Sequence, residues 1–239
     1  MEDMFRTADL RKGLTLMISS GGGSGLAAER IIKLCRTYSG TGEFRIIVPG
    51  KAKSAATLIC FGATEIMMGP SAELGPVDPQ VLVRDDKGRL NQFAIHNIVR
   101  SYEKLFKGAE KTDGNLQPYL QQLDRYDARE IEEFRSDIEL SRDMAVKALK
   151  SGVMKRFSEK NIEGKIGIFL TPEHTKSHGR AIFKEDARAC GLKVKYARPA
   201  SRVWKLIHEL YVRTYHYANT SVVKCVESSS GAFAGQAGG

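Results

Sequence analysis

Ser54 stands at a junction that suits a nucleophile. The apolar run ending at Ile47-Val48 breaks at Pro49-Gly50, and Lys51-Ala52-Lys53-Ser54-Ala55-Ala56 then leads into the apolar segment Thr57-Leu58-Ile59-Cys60. The order reads as strand, tight turn, serine and buried helix. A hydroxyl placed there lies near the positive end of the helix, where developing negative charge is stabilised. The same position suits a plain helix N-cap, a role serine commonly takes, and the residues around Ser54 leave both roles open. A second turn, Ser19-Ser20-Gly21-Gly22-Gly23-Ser24-Gly25, is rich in glycine. Consecutive glycines let the main chain come close to a ligand and expose N–H groups that hold an oxyanion or a phosphate. The turn lacks the Gly-Lys-Ser/Thr ending of a P-loop and a Gly-x-Gly-x-x-Gly fingerprint, which argues against nucleotide binding.

Both turns need strands and helices to hold them. Residues 14–18, 44–48 and 65–68 read as short apolar strands, and 27–35 and 55–62 fit the intervening helices. This alternation predicts an α/β fold of βαβ units with a mainly parallel sheet. Such a sheet gathers active residues at the carboxyl ends of its strands, where Gly23 and Ser54 fall. From 91 to 154 the pattern turns largely helical, with breaks expected near Lys107-Gly108 and Asp113-Gly114 and a helix over 128–151. In that helix Ile131, Phe134, Ile138, Met144, Ala145 and Leu149 recur at helical spacing, with acidic residues early and basic ones late. Residues 204–217 form an aromatic-rich helical pattern in which His208 and His216 pack or lie on a polar face, and His96 decorates another helix. Residues 1–227 read as one domain with a helical extension at about 91–154, and the Ser-, Gly- and Ala-rich 228–239 as a mobile tail.

Composition bounds the class. With 239 residues, 42% hydrophobic and 27% charged, the chain is long enough for one sizeable core. Cys35, Cys60, Cys190 and Cys225 form no CxxC or His/Cys cluster, so neither a metal nor a disulfide framework is expected. Cys35 and Cys60 lie in apolar helical patterns and read as buried reduced thiols, consistent with a cytoplasmic location. No apolar run approaches the roughly 20 residues of a membrane span, and the acidic, broken N-terminus does not read as a signal peptide. The expectation is a soluble protein without a transmembrane segment. The net charge of +9 is dispersed, with local excess in 147–165 and 193–213 and no nucleic-acid-binding motif, so no specific nucleic-acid partner is expected.

Gly22-Gly23 after a strand, Pro49-Gly50-Lys51-Ala52-Lys53-Ser54, and Leu74-Gly75-Pro76-Val77-Asp78-Pro79-Gln80 together resemble the serine dehydrogenase proteinase (SDH) family. That family is related to the protease subunit ClpP and the signal peptide peptidase SppA within the ClpP/crotonase fold. The match is closest over 14–80 and weaker over 177–194, and the heptapeptide ending at Gln80 is its most specific element. The resemblance implies a serine peptidase that works through an acyl-enzyme: Ser54 as nucleophile, Asp78 as the orienting carboxylate, and the N–H groups of Gly23 and Ala55 as the oxyanion hole. The base falls at His178, counted back from Gly191-Leu192, or at His174 if the loop has another length. Without a family role, Asp78 reads as a turn residue before Pro79 and the two histidines as solvated loop residues. SppA-like relatives use a Ser-Lys dyad; Lys104, Lys107 and Lys111 lie at plausible distances but on the charged face of an amphipathic helix. The resemblance implies a peptide or protein substrate, no cofactor or metal, and a homo-oligomer.

The chain departs from the family in two places. Relatives carry at least one more strand before the glycine turn, so a short form, a fragment or a chain completed by a partner is expected. Ala55-Ala56 also replaces a glycine-containing pair, and the Ala55 methyl would narrow the oxyanion side and reduce or alter activity. Two other readings stand beside the peptidase. One is a crotonase-like acyl-CoA enzyme using the same oxyanion pair, for which the sequence offers no convincing adenine and pantetheine site. The other is a catalytically degenerate oligomeric scaffold or binding protein.

Overall fold

The computed structural model describes residues 1–85, 87–171 and 177–236. Its elements in chain order are α1 (Glu2–Thr7), β1 (Leu14–Met17), α2 (Gly25–Tyr38), β2 (Phe44–Val48), β3 (Lys51–Ala52), α3 (Ala55–Phe61) and β4 (Glu65–Met68). They continue with β5 (Glu73–Leu74), β6 (Gln80–Arg84), β7 (Leu90–Ala94), α4 (Ile95–Lys111), α5 (Gln117–Leu123) and α6 (Ala128–Ser151). The last are α7 (Glu159–Lys165), α8 (Gly167–Leu170), α9 (Lys184–Ala189), β8 (Val194–Tyr196), α10 (Arg202–Thr220), β9 (Lys224–Ser228) and β10 (Gly231–Gly235).

The main sheet runs β1-β2-β4-β8 with every pairing parallel. This is the α/β, mainly parallel architecture that the alternating pattern predicts. In β2, Phe44, Ile46 and Val48 are buried on one face while Arg45 and Ile47 are less so, as a period of two requires. Helix α3 is buried all round, which places it inside the core rather than on its surface. It packs against α2, through Ala28, Ile32 and Cys35 at one-turn spacing, and against the carboxyl half of α6. Phe61 at the end of α3 meets Phe169 of α8 edge to face at 5.0 Å.

Three features differ from the sequence-based expectations. Helix α4 runs unbroken through Lys107-Gly108. Gly108 is there for close packing: a Cβ at that position would lie 2.6 Å from the Tyr119 ring of α5. The region expected to be largely helical from 91 begins with β7, the second strand of an antiparallel hairpin with β6. Its turn is closed by Asp85, whose side chain accepts from the N–H groups of Lys87 and Arg89. Within the stretch expected to be a tail, Gly231–Gly235 pairs antiparallel with β9.

Candidate active site

Two chain segments are stitched side by side at the carboxyl end of the sheet. Beyond β1 and β2, Ser20 N–H donates to Lys51 O and Lys53 N–H to Ser20 O, each at 3.0 Å. The glycine turn therefore rides directly on the turn that carries Ser54. Gly22 comes so close that a Cβ on it would lie 2.7 Å from Ser54 Cβ, and its φ of +116° is a glycine conformation. Its N–H donates to Ser20 Oγ at 3.1 Å.

Ser54 itself has φ +50° and ψ −121° and is the one non-glycine residue with positive φ among the described residues. Such a conformation is sparsely populated, and it carries the chain from β3 directly into α3. The capping alternative is not realised. Ser24, Asp127, Ser158 and Ser201 each start a helix with the side-chain oxygen accepting a backbone N–H, whereas Ser54 makes no such bond. Among the described residues, the N–H groups of Gly23 and Ala55 have no acceptor, so both are available to an incoming oxygen.

Asp78 reaches the same place through several ties. Thr57 of α3, fully buried, accepts from Gly75 N–H, and its one hydroxyl hydrogen lies between Ala52 O at 2.7 Å and Gly75 O at 2.9 Å. Ser141 of α6 donates to Val77 O at 2.6 Å, and Val77 N–H to Phe169 O at 2.8 Å. The Asp78 carboxyl is 1% exposed, and each of its oxygens has a partner. Oδ1 lies 2.8 Å from His178 Nδ1, and Oδ2 accepts from Gln80 Nε2 at 2.6 Å. A carboxylate only accepts, so Nδ1 carries the hydrogen in this contact, and in the neutral imidazole that leaves the lone pair on Nε2.

His178, 23% exposed at its side chain, lines a cavity of about 520 Å³ together with Gly23, Ser54, Ala55 and Asp78. No hydrogen bond joins Ser54 Oγ to His178 in this state; such contacts commonly tighten only when substrate is bound. Leu26, Leu58, Val77, Ile95, Leu140 and Met144 supply most of the apolar wall, with Asp137 at its side. Ala55, whose methyl is expected to narrow the oxyanion side, contributes to the same lining.

The other candidates separate from this place. His174 lies outside the described residues. Lys104 and Lys107 line a different cavity along α4, and Lys111 ends that helix; none of the three lines the Ser54 cavity. His208 packs against Trp204 and Tyr211, with ring centroids 5.8 and 6.4 Å away. Residues that the sequence reading did not single out are Gln80, which holds the second oxygen of Asp78, and Thr57 and Lys53, which bind the Ser54 turn to its neighbours. Gln80 closes the heptapeptide and Lys53 precedes the serine, so adjacency was their only local signal. Among the described residues there is no group of metal-binding side chains and no helix long and apolar enough to cross a membrane.

A family model described as ClpP-like SDH-type serine proteinase matches residues 3–229. Over 108 residues the chain is 40% identical to the uncharacterized protein MJ0137 of Methanocaldococcus jannaschii, a match covering 45% of this chain and 33% of that protein. A second protein of that organism, MJ1495, is 30% identical over 121 residues, covering 51% of this chain and 36% of its own. The chain thus spans about a third of the length of these two relatives. Among solved structures, the 1510-N membrane-bound stomatin-specific protease in complex with a substrate peptide is 20% identical with a TM-score of 0.31, covering 87% of this chain and 90% of that one. A second variant of that protease is 17% identical with a TM-score of 0.31, covering 83% and 91%.

Proposed function

The chain belongs to the family of ClpP-like SDH-type serine proteinases, and from that premise we propose that it hydrolyses peptide bonds through an acyl-enzyme on Ser54. The observation that carries this reading is a serine held at φ +50° without a capping bond, sharing one cavity with an imidazole whose Nδ1 is bound to a buried carboxylate.

In the first half-reaction Nε2 of His178 takes the Ser54 hydroxyl proton as Oγ bonds to the scissile carbonyl carbon. The carbonyl oxygen becomes an oxyanion and receives the N–H groups of Gly23 and Ala55. Collapse breaks the C–N bond, and the imidazolium returns its proton to the leaving amine. Water then attacks the ester with His178 again as base, releasing the acid and free Ser54. Asp78 holds the ring in the tautomer that leaves Nε2 basic, and Gln80 keeps Asp78 in place. The lining sets apolar side chains such as Leu26, Leu58, Leu140 and Met144 beside polar ones, and the carboxylates of Asp78 and Asp137 disfavour an acidic side chain beside the scissile bond. In this reading 1–227 is a single catalytic unit, several copies of which assemble.

Fluorophosphonate labelling with peptide mapping tests the reading. Label is expected on Ser54 in the parent protein. It should be absent from Ser54→Ala and slowed by roughly 10³-fold or more in His178→Ala and Asp78→Asn. Peptide esters with apolar acyl residues should turn over faster than acidic ones. A folded protein that takes no label on Ser54 would instead support the non-catalytic scaffold.

A further inference from the structure

We propose that Lys53 is a positioning residue for His178, tying the segment that follows the imidazole to the turn that presents Ser54. The inference rests on the serine-peptidase reading above and adds a residue whose work is done through another.

The Lys53 side chain is only 12% exposed, unusual for a lysine. Its Nζ lies 2.8 Å from Glu73 Oε1, 3.2 Å from Leu74 O and 3.4 Å from both Gly179 O and Arg180 O, so three hydrogens are shared among four acceptors. The last two belong to the residues directly after His178. The same residue's main chain meets the glycine turn, through its N–H to Ser20 O, and helix α3, whose Ala56 N–H donates to Lys53 O at 2.9 Å. One residue therefore touches the nucleophile turn, the oxyanion turn, β5 and the histidine segment.

The path of the side chain is fixed as well. Its stem lies over Gly75, where any Cβ would collide with Lys53 Cδ. Leu74 in turn exchanges hydrogen bonds with Ile182, 3.0 Å and 2.9 Å long, which anchors the far end of the histidine segment to β5. His178 is thus held at its ring by Asp78 and along its chain by Lys53 and β5.

Lys53 is not itself a base in this arrangement. A base must take a proton from Ser54, whereas the Lys53 Nζ is surrounded by one carboxylate and three carbonyl oxygens and is placed to donate. The partner Glu73 balances its charge locally, so its contribution is geometric. Small misplacement of a catalytic group costs rate steeply, about 100-fold for 1 Å.

The test is a double-mutant cycle read as the second-order rate of fluorophosphonate modification of Ser54. Lys53→Met should lower the rate about 10- to 100-fold, and Lys53→Arg should recover part of the loss. In a His178→Ala background Lys53→Met should have no further effect, because the group it positions is gone. A general structural role would give the same fold-loss in both backgrounds, and that result overturns the inference. Labelling of Lys53→Met at the parent rate overturns it too. Either leaves the peptidase reading intact, since Ser54 of the parent would still be labelled; an unlabelled parent removes both. Should Lys53→Met fail to fold, the cycle is run with Lys53→Arg, expected to give a smaller loss confined to the background that retains His178.

Discussion

At the scale of single residues, Ser54 decides the reading. A β-branched or capping side chain has no reason to sit at φ +50°, and holding one there costs about 1–3 kcal/mol unless the surroundings over-determine it. Here they do: Gly22 packs against the Ser54 Cβ, and Lys53 is bound on both sides. Glycine adopts this mirror-image conformation freely, at the expense of greater freedom when unfolded. Ser54→Gly is therefore expected to be inactive yet more stable than Ser54→Ala, by about 1 kcal/mol, measured by urea denaturation. An alanine variant of equal or greater stability would mean that the turn stores no strain. The turn itself was legible in Pro49-Gly50 and the small residues after it. The positive φ was not, because serine has no local preference for it; the pressure comes from the glycine turn some thirty residues earlier in the chain.

At the scale of elements, β8 closes the sheet beside β4, pairing buried Val194 with buried Ile66, and an ion-pair group lies along the same seam. Glu65 on β4 lies 2.9 Å from Lys195 and 3.5 Å from Lys193. Burial pushes its carboxyl up, but the hydrogen bonds and charges of Lys195 and then Lys193 outweigh that and hold it below the ordinary carboxylate range. A depressed carboxyl stabilises the folded chain above the unfolded pKa, and that contribution is lost as pH falls through the folded value. Glu65→Gln should therefore lower the melting temperature at neutral pH, by an amount equivalent to no more than about 1 kcal/mol. The difference from the parent should vanish in acid, and a constant difference at every pH would show that the pair does not act through charge. Elements of this kind were unevenly visible in the sequence. Strands β2 and β4 and helix α6 follow from apolar periodicity at the boundaries expected. The β6–β7 hairpin did not, because its exposed strands mix Leu82, Val83 and Phe93 with polar residues and bury too little to show a period.

At the scale of the whole molecule, one core spans the main sheet and the helices around it, and three of the four cysteines lie within it. Burial pushes the Cys35 thiol up to about 12 and raises those of Cys60 and Cys190 as well. Since the thiolate is the reactive form, these three should resist a thiol reagent in the native protein, while the half-exposed Cys225 reacts. One equivalent is expected before denaturation and four after it, read with a chromogenic disulfide at mildly alkaline pH; rapid reaction of a second native thiol would indicate that the core opens. The sequence by itself determined β1, β2 and β4 with α2 and α3 between them, the parallel sheet they form and the two turns at its carboxyl end. Periodicity, glycine and proline act over a few residues and need no distant partner. Only the tertiary structure decided which side chains meet. The contact between Asp78 and His178 spans 100 residues, and that between Lys53 and Arg180 spans 127. Each depends on how β5, α6 and the segment after His178 pack against α3, and packing is a property of the whole core, which no local pattern carries.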